Sequence, residues 1–293
     1  MKKIKLGQSI LLVILFAFAL IGLLPILLVL IASFTSESSL SLNGFSFFPQ
    51  EWSLDAWKYI IDMKDQLLTS YGVTIFITLF GTVAGLIIMS MLAYTMSRRN
   101  FKLKSFLSIM VIFTMLFNGG QLSNYMINST VYHLKDTIWV LCIPAMEAMS
   151  IIMMKTYIQT NITDALIESA KIDGAGEFRI YWQICMPLMP PMLAALGFMT
   201  AIKFWNDWQK AYMYISSVNK TPLQLLLIRI EKNIEVLNSG RISSEAAYTM
   251  ASAIPAEGTR MALLFTVLGP IMIVYPFFQK YFIKGLTLGA VKG

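Results

Sequence analysis

Three observations predict an all-α integral membrane protein: six transmembrane helices with a cytoplasmic two-helix loop between helices 4 and 5. Hydrophobic residues make up 57% of the chain and charged residues only 13%, about half the ~25% typical of soluble domains. The apolar residues fall into long runs, with basic residues crowded beside them, as the positive-inside rule requires. A polar, charged island, 163–187, interrupts this pattern between the fourth and fifth runs. The net charge of +7 therefore follows membrane topology rather than a nucleic-acid surface.

Each span has its own warrant. The first, about 10–32, follows Lys2, Lys3 and Lys5 and is too long for the core of a signal peptide, which runs about 7–15 residues. It is read as an uncleaved helix with its N-terminus inside. Residues 33–69 carry Glu37, Glu51, Asp55, Asp62 and Asp65, with Trp52 and Trp57 among them. This is read as an external loop with a short amphipathic helix near Leu54–Ile61. The second span, about 71–96, has Gly72, Gly81 and Gly85 at helical spacing, where small residues let helices approach closely. Arg98, Arg99, Lys102 and Lys104 then mark a cytoplasmic turn.

The third span, about 104–124, is interrupted by Asn118-Gly119-Gly120. Irregular backbone at membrane depth is tolerated where it lines a cavity or lies against protein. Two readings stay open: the break borders a translocation path, or the helix simply ends near the outer surface. The fourth span, about 137–157, contains Pro144 and Glu147 and ends at Lys155. The fifth, about 188–212, carries Lys203, Asn206 and Asp207 towards its outer end. A second external segment, 216–258, includes an amphipathic stretch Leu223–Leu237, and the sixth span runs over about 260–282. Six crossings put both termini, and the 163–187 island, in the cytoplasm. Residues 1–293 read as a single transmembrane domain.

Several functions are excluded by what the residues lack. Cys142 and Cys185 form neither a disulfide framework nor a metal spacing. His133, the one histidine, sits in an external loop near Asp136 without the partners that a nucleophile or metal centre needs. There is no phosphate-binding G-x4-G-K-[ST] loop. The chain is expected to be no enzyme and to bind no cofactor or metal of its own.

The island itself reads DALIESAKIDGAGEFRIYWQICMPLMPP from Asp164 to Pro191. Thr163 or Asp164 caps a helix of good propensity through Ala165, Ile167 and Ala170. Asp173-Gly174 supplies a turn, since Gly takes positive φ cheaply. A second short helix from Gly176 to Met186 leads to Pro187, Pro190 and Pro191. A slim helix on a membrane face suits insertion into a partner's groove, with Glu168, Asp173, Glu177 and Arg179 able to fix its register.

The spacing Glu168-Ser169-Ala170, Gly174, Ile184, Met186, Pro187 resembles the E-A-A-x3-G-x9-I-x-L-P loop of binding-protein-dependent ABC importer permeases. Ser169 replaces the central Ala and Met186 the Leu, both conserving size. Trp205-Asn206-Asp207-Trp208 and the C-terminal YPFFQKYF…KGLTLGAVKG are similar to carbohydrate-uptake permeases of the maltose-transporter second-subunit type. Within that group the likeness is greatest to permeases for lipoprotein-dependent oligosaccharide uptake in Gram-positive bacteria. The resemblance implies a heterodimer with a second homologous permease, two copies of a cytoplasmic ATPase holding ATP and Mg, an extracellular sugar-binding lipoprotein, and residence in the plasma membrane. It assigns ATPase coupling to Asp164, Glu168, Ser169, Ala170, Asp173, Gly174, Ala175, Ile184 and Pro187, and gives 284–293 a reach to the ATPase interface.

For the substrate path the residues expected are Glu147, Asn118, Trp205 and Asn206. A carboxylate in mid-span is costly and faces a cavity or a partner. Glu147 therefore either contacts substrate or pairs with another helix, such as through Lys203, or with the second permease. The alternatives to sugar import are a secondary transporter of a small polar solute, or an ABC permease for a non-sugar substrate. A secondary transporter would normally show internal repeats and coupling carboxylates, for which one central Glu is thin support.

Overall fold

The computed structural model describes residues 6–143, 146–238 and 256–290, and among them the chain is almost entirely helical. In chain order the helices are α1 (Leu6–Ser33), α2 (Glu37–Asn43), α3 (Asp55–Asp62), α4 (Lys64–Ser97), α5 (Lys104–Leu116), α6 (Gly120–Val131), α7 (Ile138–Cys142), α8 (Ala148–Asn161), α9 (Asp164–Ile172), α10 (Glu177–Leu188), α11 (Pro190–Asn206), α12 (Trp208–Tyr214), α13 (Leu223–Asn238) and α14 (Ala256–Ala290). They divide into two compact units, residues up to 68 with 226–270, and 69–225 with 271 onwards. The basic N-terminus, Pro144, residues 239–255 and the side chains of the tail from Lys280 lie outside the described residues.

Among the described residues, three helices are long and apolar enough to cross a membrane: Ile10–Ser33, Lys64–Ser97 and Ala256–Gln279. Two bent pairs, α5 with α6 and α10 with α11, raise the number to five if each pair is one span. Apolar side chains along α1, such as Phe16 and Phe18, are exposed, which suits a helix solvated by lipid rather than water. The second span starts earlier than expected, at Lys64, and the sixth runs past its expected end.

The third and fourth expected spans are not continuous helices. At 13 residues α5 reaches only about 20 Å, short of the ~30 Å hydrocarbon core. The chain then turns by 112° into α6. Gly120 takes φ +79° at this bend, a conformation open to glycine, and the Asn118 side-chain oxygen accepts from its N–H at 3.0 Å. The fourth run is split into α7 and α8 by residues 143–147. Ile143 is extended at ψ 115°, as a residue preceding proline must be.

In the first unit the helices are laced by short-range polar bonds. Ser53 N–H donates to Phe34 O at 2.8 Å, and Ser36 N–H to Glu51 O at 3.1 Å. The Phe34 and Trp57 rings stack at 5.4 Å, and the Trp57 indole donates to Ser33 Oγ. The amphipathic helix expected near Leu54–Ile61 is α3, with Ala56 and Ile60 buried. The carboxylate of Glu37 accepts from the N–H groups of Glu257 and Gly258 at 3.1 and 3.2 Å. These are the orphan donors of the first turn of α14, and an anion there also meets the helix dipole favourably.

Among the described residues of the second unit, apolar side chains gather in two cores. One gathers Met89, Ala93, Met96, Met154, Ile158, Ile180 and Met189 beneath the island. The other gathers Val73, Ile77, Val140, Leu141, Ala211, Tyr214 and Leu225. Between α4 and α11, a Cβ on Gly81 would lie 2.4 Å from the Phe204 ring, so this glycine makes room for an aromatic side chain. Gly72 has open space around it and serves no such contact.

A polar clamp closes the second core. Asp136, itself at φ 56°, accepts from the backbone N–H groups of Ser216 and Ser217 at 3.0 Å and from the Ser217 hydroxyl. Lys220 donates to its carbonyl at 2.5 Å. The Ser217 hydroxyl and these N–H groups hold the carboxyl far below its ordinary 3.8. A depressed pKa adds stability that is present above the ordinary value and lost as pH falls beneath it. Asp136→Asn, half-exposed as the site is, should cost about 1 kcal/mol at neutral pH, read as a lower melting temperature of the detergent-solubilised chain. The difference from the parent should shrink as the pH is taken below about 4.

Candidate functional site

The island folds as α9 and α10 on one face of the second unit. Ile167 and Ala170 of α9 are buried, which turns Glu168 and Ser169 outwards. Thr163 occupies the capping position but its side chain makes no capping bond, and Asp164 pairs with Arg99 at 2.9 Å. The helix ends in a Schellman closure: Ala175 N–H donates to Ala170 O at 2.9 Å and Gly174 N–H to Lys171 O at 3.0 Å. This closure needs a left-handed residue at its C′ position, and Gly174 supplies it with φ +79°. Nothing lies within 4 Å of the place a Cβ would occupy there, so backbone conformation, not crowding, calls for glycine.

The loop is fixed to the end of α4 by a ladder of polar contacts. Tyr94 hydroxyl donates to Glu177 Oε2 at 2.6 Å, and Lys171 pairs with Glu177 Oε1 at 2.6 Å. One helical turn away, Ser90 Oγ and Tyr181 Oη are 2.8 Å apart, and the Arg98 guanidinium sits 4.7 Å from the Tyr94 ring centre. Ser90 and Tyr94 are four residues apart on α4, as Glu177 and Tyr181 are on α10, so antiparallel faces match rung by rung. Partial burial draws the Glu177 carboxyl upward, but the bonds from Lys171 and Tyr94 prevail and leave it below its ordinary value. Residues 181–185 form a wide π turn just before Pro187, whose ring and missing N–H a regular turn would not accommodate. Ile184 packs on the core while Pro187 is exposed.

The exposure of the loop's apolar side chains escaped the sequence reading, and two stand out. Ile172 is 86% exposed and Phe178 67%. Both lie close in sequence to Gly174, and the signal that could have found them was an apolar residue on the wrong face of a short amphipathic helix.

The expected substrate-path residues do not converge. Asn118 holds the α5–α6 bend, as described. Glu147 pairs with the ammonium of Lys203 and accepts from Ser150 Oγ at 3.1 Å. Trp205 is 9% exposed, packed inside rather than offered as a stacking platform. The Asn206 side-chain oxygen accepts from Gln224 at 2.9 Å. A cavity of about 60 Å³ is lined by Ile143, Glu147, Thr200, Lys203, Phe204, Asp207 and Lys210. The sequence reading missed Lys210, although Lys203, Asp207 and Lys210 follow one another at i, i+4 and i+7, the spacing of a single helix face.

Tyr94→Phe and Glu177→Ala each remove one end of the same bond. A double-mutant cycle on thermal stability should show coupling of about 0.5–1 kcal/mol, where additive losses would mean the contact contributes nothing.

Residues 90–288 match the family described as the binding-protein-dependent transport system inner membrane component. The chain is 37% identical to protein LplC of Bacillus subtilis, over 93% of this chain and 90% of that protein. It is 35% identical to the B. subtilis polygalacturonan/rhamnogalacturonan transport system permease protein YtcP, over 94% of each. Among solved structures, it matches a chain of a bacterial ABC transporter involved in import of the acidic polysaccharide alginate. That match has a TM-score of 0.80 and 29% identity, covering 96% of this chain and 98% of the other. The chain belongs to the family of inner membrane components of binding-protein-dependent transport systems.

Proposed function

We propose that this chain is the permease subunit of an ATP-binding-cassette importer that moves an oligosaccharide into the cytoplasm. In this reading an external binding lipoprotein delivers the sugar, and a separate ATPase docks on the loop around Glu168–Gly174. ATP and Mg belong to that ATPase; the permease catalyses nothing. A second homologous permease completes a heterodimer that carries two ATPase copies. Residues 1–293 act as one permease domain of the plasma membrane, crossing it six times with both termini inside, the bent α5–α6 pair and the split α7–α8 run serving as the third and fourth crossings. The named substrates of relatives support the sugar class: polygalacturonan and rhamnogalacturonan for YtcP, and arabinooligosaccharides for AraQ of Halalkalibacterium halodurans.

One observation carries the docking role: the slim α9 closed by Gly174. Its buried side rests on the core, and its other side offers Glu168, Asp173 and the apolar Ile172 to a partner. Such a helix fits a groove as an amphipathic anchor does. The ladder through Glu177 and Tyr181 would then pass movement of the loop to α4. Asp164, Ser169, Ala170, Ala175, Ile184 and Pro187 shape and seat the loop rather than touching the sugar.

Gly174→Val tests this. A β-branched side chain at φ +79° is strained, so the Schellman closure should open and α9 lose its shape. The variant is expected to insert and fold with its partner permease but to lose the ATPase in pull-down and to lose ATP-dependent uptake. Undiminished ATP-driven uptake by Gly174→Val would refute the docking role.

A further inference from the structure

The cavity at the breaks of the fourth and fifth runs carries an inference about substrate class, and it rests on the oligosaccharide-permease reading. Four charged side chains line it: Glu147, Lys203, Asp207 and Lys210. They are not equally satisfied. Glu147 and Lys203 neutralise each other. Asp207 turns Oδ1 to the backbone N–H of Lys210 at 3.1 Å, capping α12. The Lys210 ammonium has the carbonyl of Ile143 at 3.5 Å, and among the described residues no carboxylate oxygen lies within 4.0 Å of it. Asp207 balances its charge only at longer range.

A cation held in an apolar stretch with a carbonyl as its near contact is an expensive arrangement. Broken helices around a polar cavity are where membrane transporters hold their solutes. At about 60 Å³ the cavity has room for about two waters, which suits a carboxylate rather than a sugar ring. We propose that Lys210 receives the carboxylate of an acidic sugar unit, so that the transported oligosaccharide contains uronic acid. The ring and the rest of the chain stay in the open path, while the charged group reaches the ammonium. A neutral sugar would bring hydroxyls only, leaving Lys210 with the Ile143 carbonyl and the more distant Asp207 charge as before.

The experiment uses the full importer in proteoliposomes, with its binding protein and ATPase, and two probes: trigalacturonate, and the neutral trisaccharide obtained by reducing its carboxyl groups. The readout is the ratio of ATP-dependent uptake of the acidic probe to that of the neutral one. The parent should favour the acidic probe. Lys210→Gln should lower the ratio about tenfold, the loss of a charge-assisted hydrogen bond, and Lys210→Arg should largely restore it. A parent that takes up the neutral probe as well as the acidic one overturns the inference and leaves the permease reading standing. The same holds if Lys210→Gln depresses both probes equally, the mark of a purely structural lysine. ATP-dependent uptake of neither probe overturns the oligosaccharide reading and this inference with it.

Discussion

The carboxylate of Glu177 takes one bond from Tyr94 and one from Lys171, and the placement of the whole 163–187 loop depends on it. Lys171 belongs to α9, Glu177 to α10 and Tyr94 to α4. A single acidic group thus ties the two short helices to each other and both to a long apolar helix. The Ser90–Tyr181 contact one turn on keeps the two faces in register, and the apolar core around Met89, Ala93 and Ile180 supplies the burial. Each bond is modest on its own. Together they turn a polar loop, which would otherwise be mobile, into a fixed projection that can receive force.

The second constraint is the cost of irregular backbone and charge inside an apolar chain. Each helix break in the second unit is accounted for by a local device: Asn118 and the left-handed Gly120 at one, an extended Ile143 at another, and the Asp207 cap at a third. Charge appears where helices stop, because only there do backbone groups and side chains have polar partners to share. Glu147 and Lys203 meet at two such breaks. The polar cavity is therefore a consequence of how the spans are interrupted.

Much of this was legible in the residues, and unevenly so. Long apolar runs reveal lipid-facing helices directly, and α1, α4 and α14 fall where hydropathy places them. The turn at Gly174 was equally readable, because a left-handed position selects glycine for a local reason. The interrupted spans were harder. Hydropathy averages over a window, so Ile138–Cys142 and Ala148–Asn161 merge into one apolar stretch. Side-chain partners were less legible still. That Glu147 meets Lys203, 56 residues away, could be named only as one option, and Trp205 shares a small pocket with residues distant in sequence, such as Thr74 and Leu141. Tyr94 and Ser90 carry no signal of their own in an apolar helix; they acquire meaning only when α10 lies against them.

The central claim is that the outward side of α9 is where an ATPase engages. Both native cysteines, Cys142 and Cys185, are buried, so a cysteine introduced in place of the exposed Glu168 can be labelled selectively with a photoactivatable crosslinker in membranes containing the assembled importer. The account predicts that illumination joins this chain to the ATPase, with a yield that changes when ATP is added. Crosslinks to lipid or to other membrane chains alone, with the ATPase present and active, would contradict it.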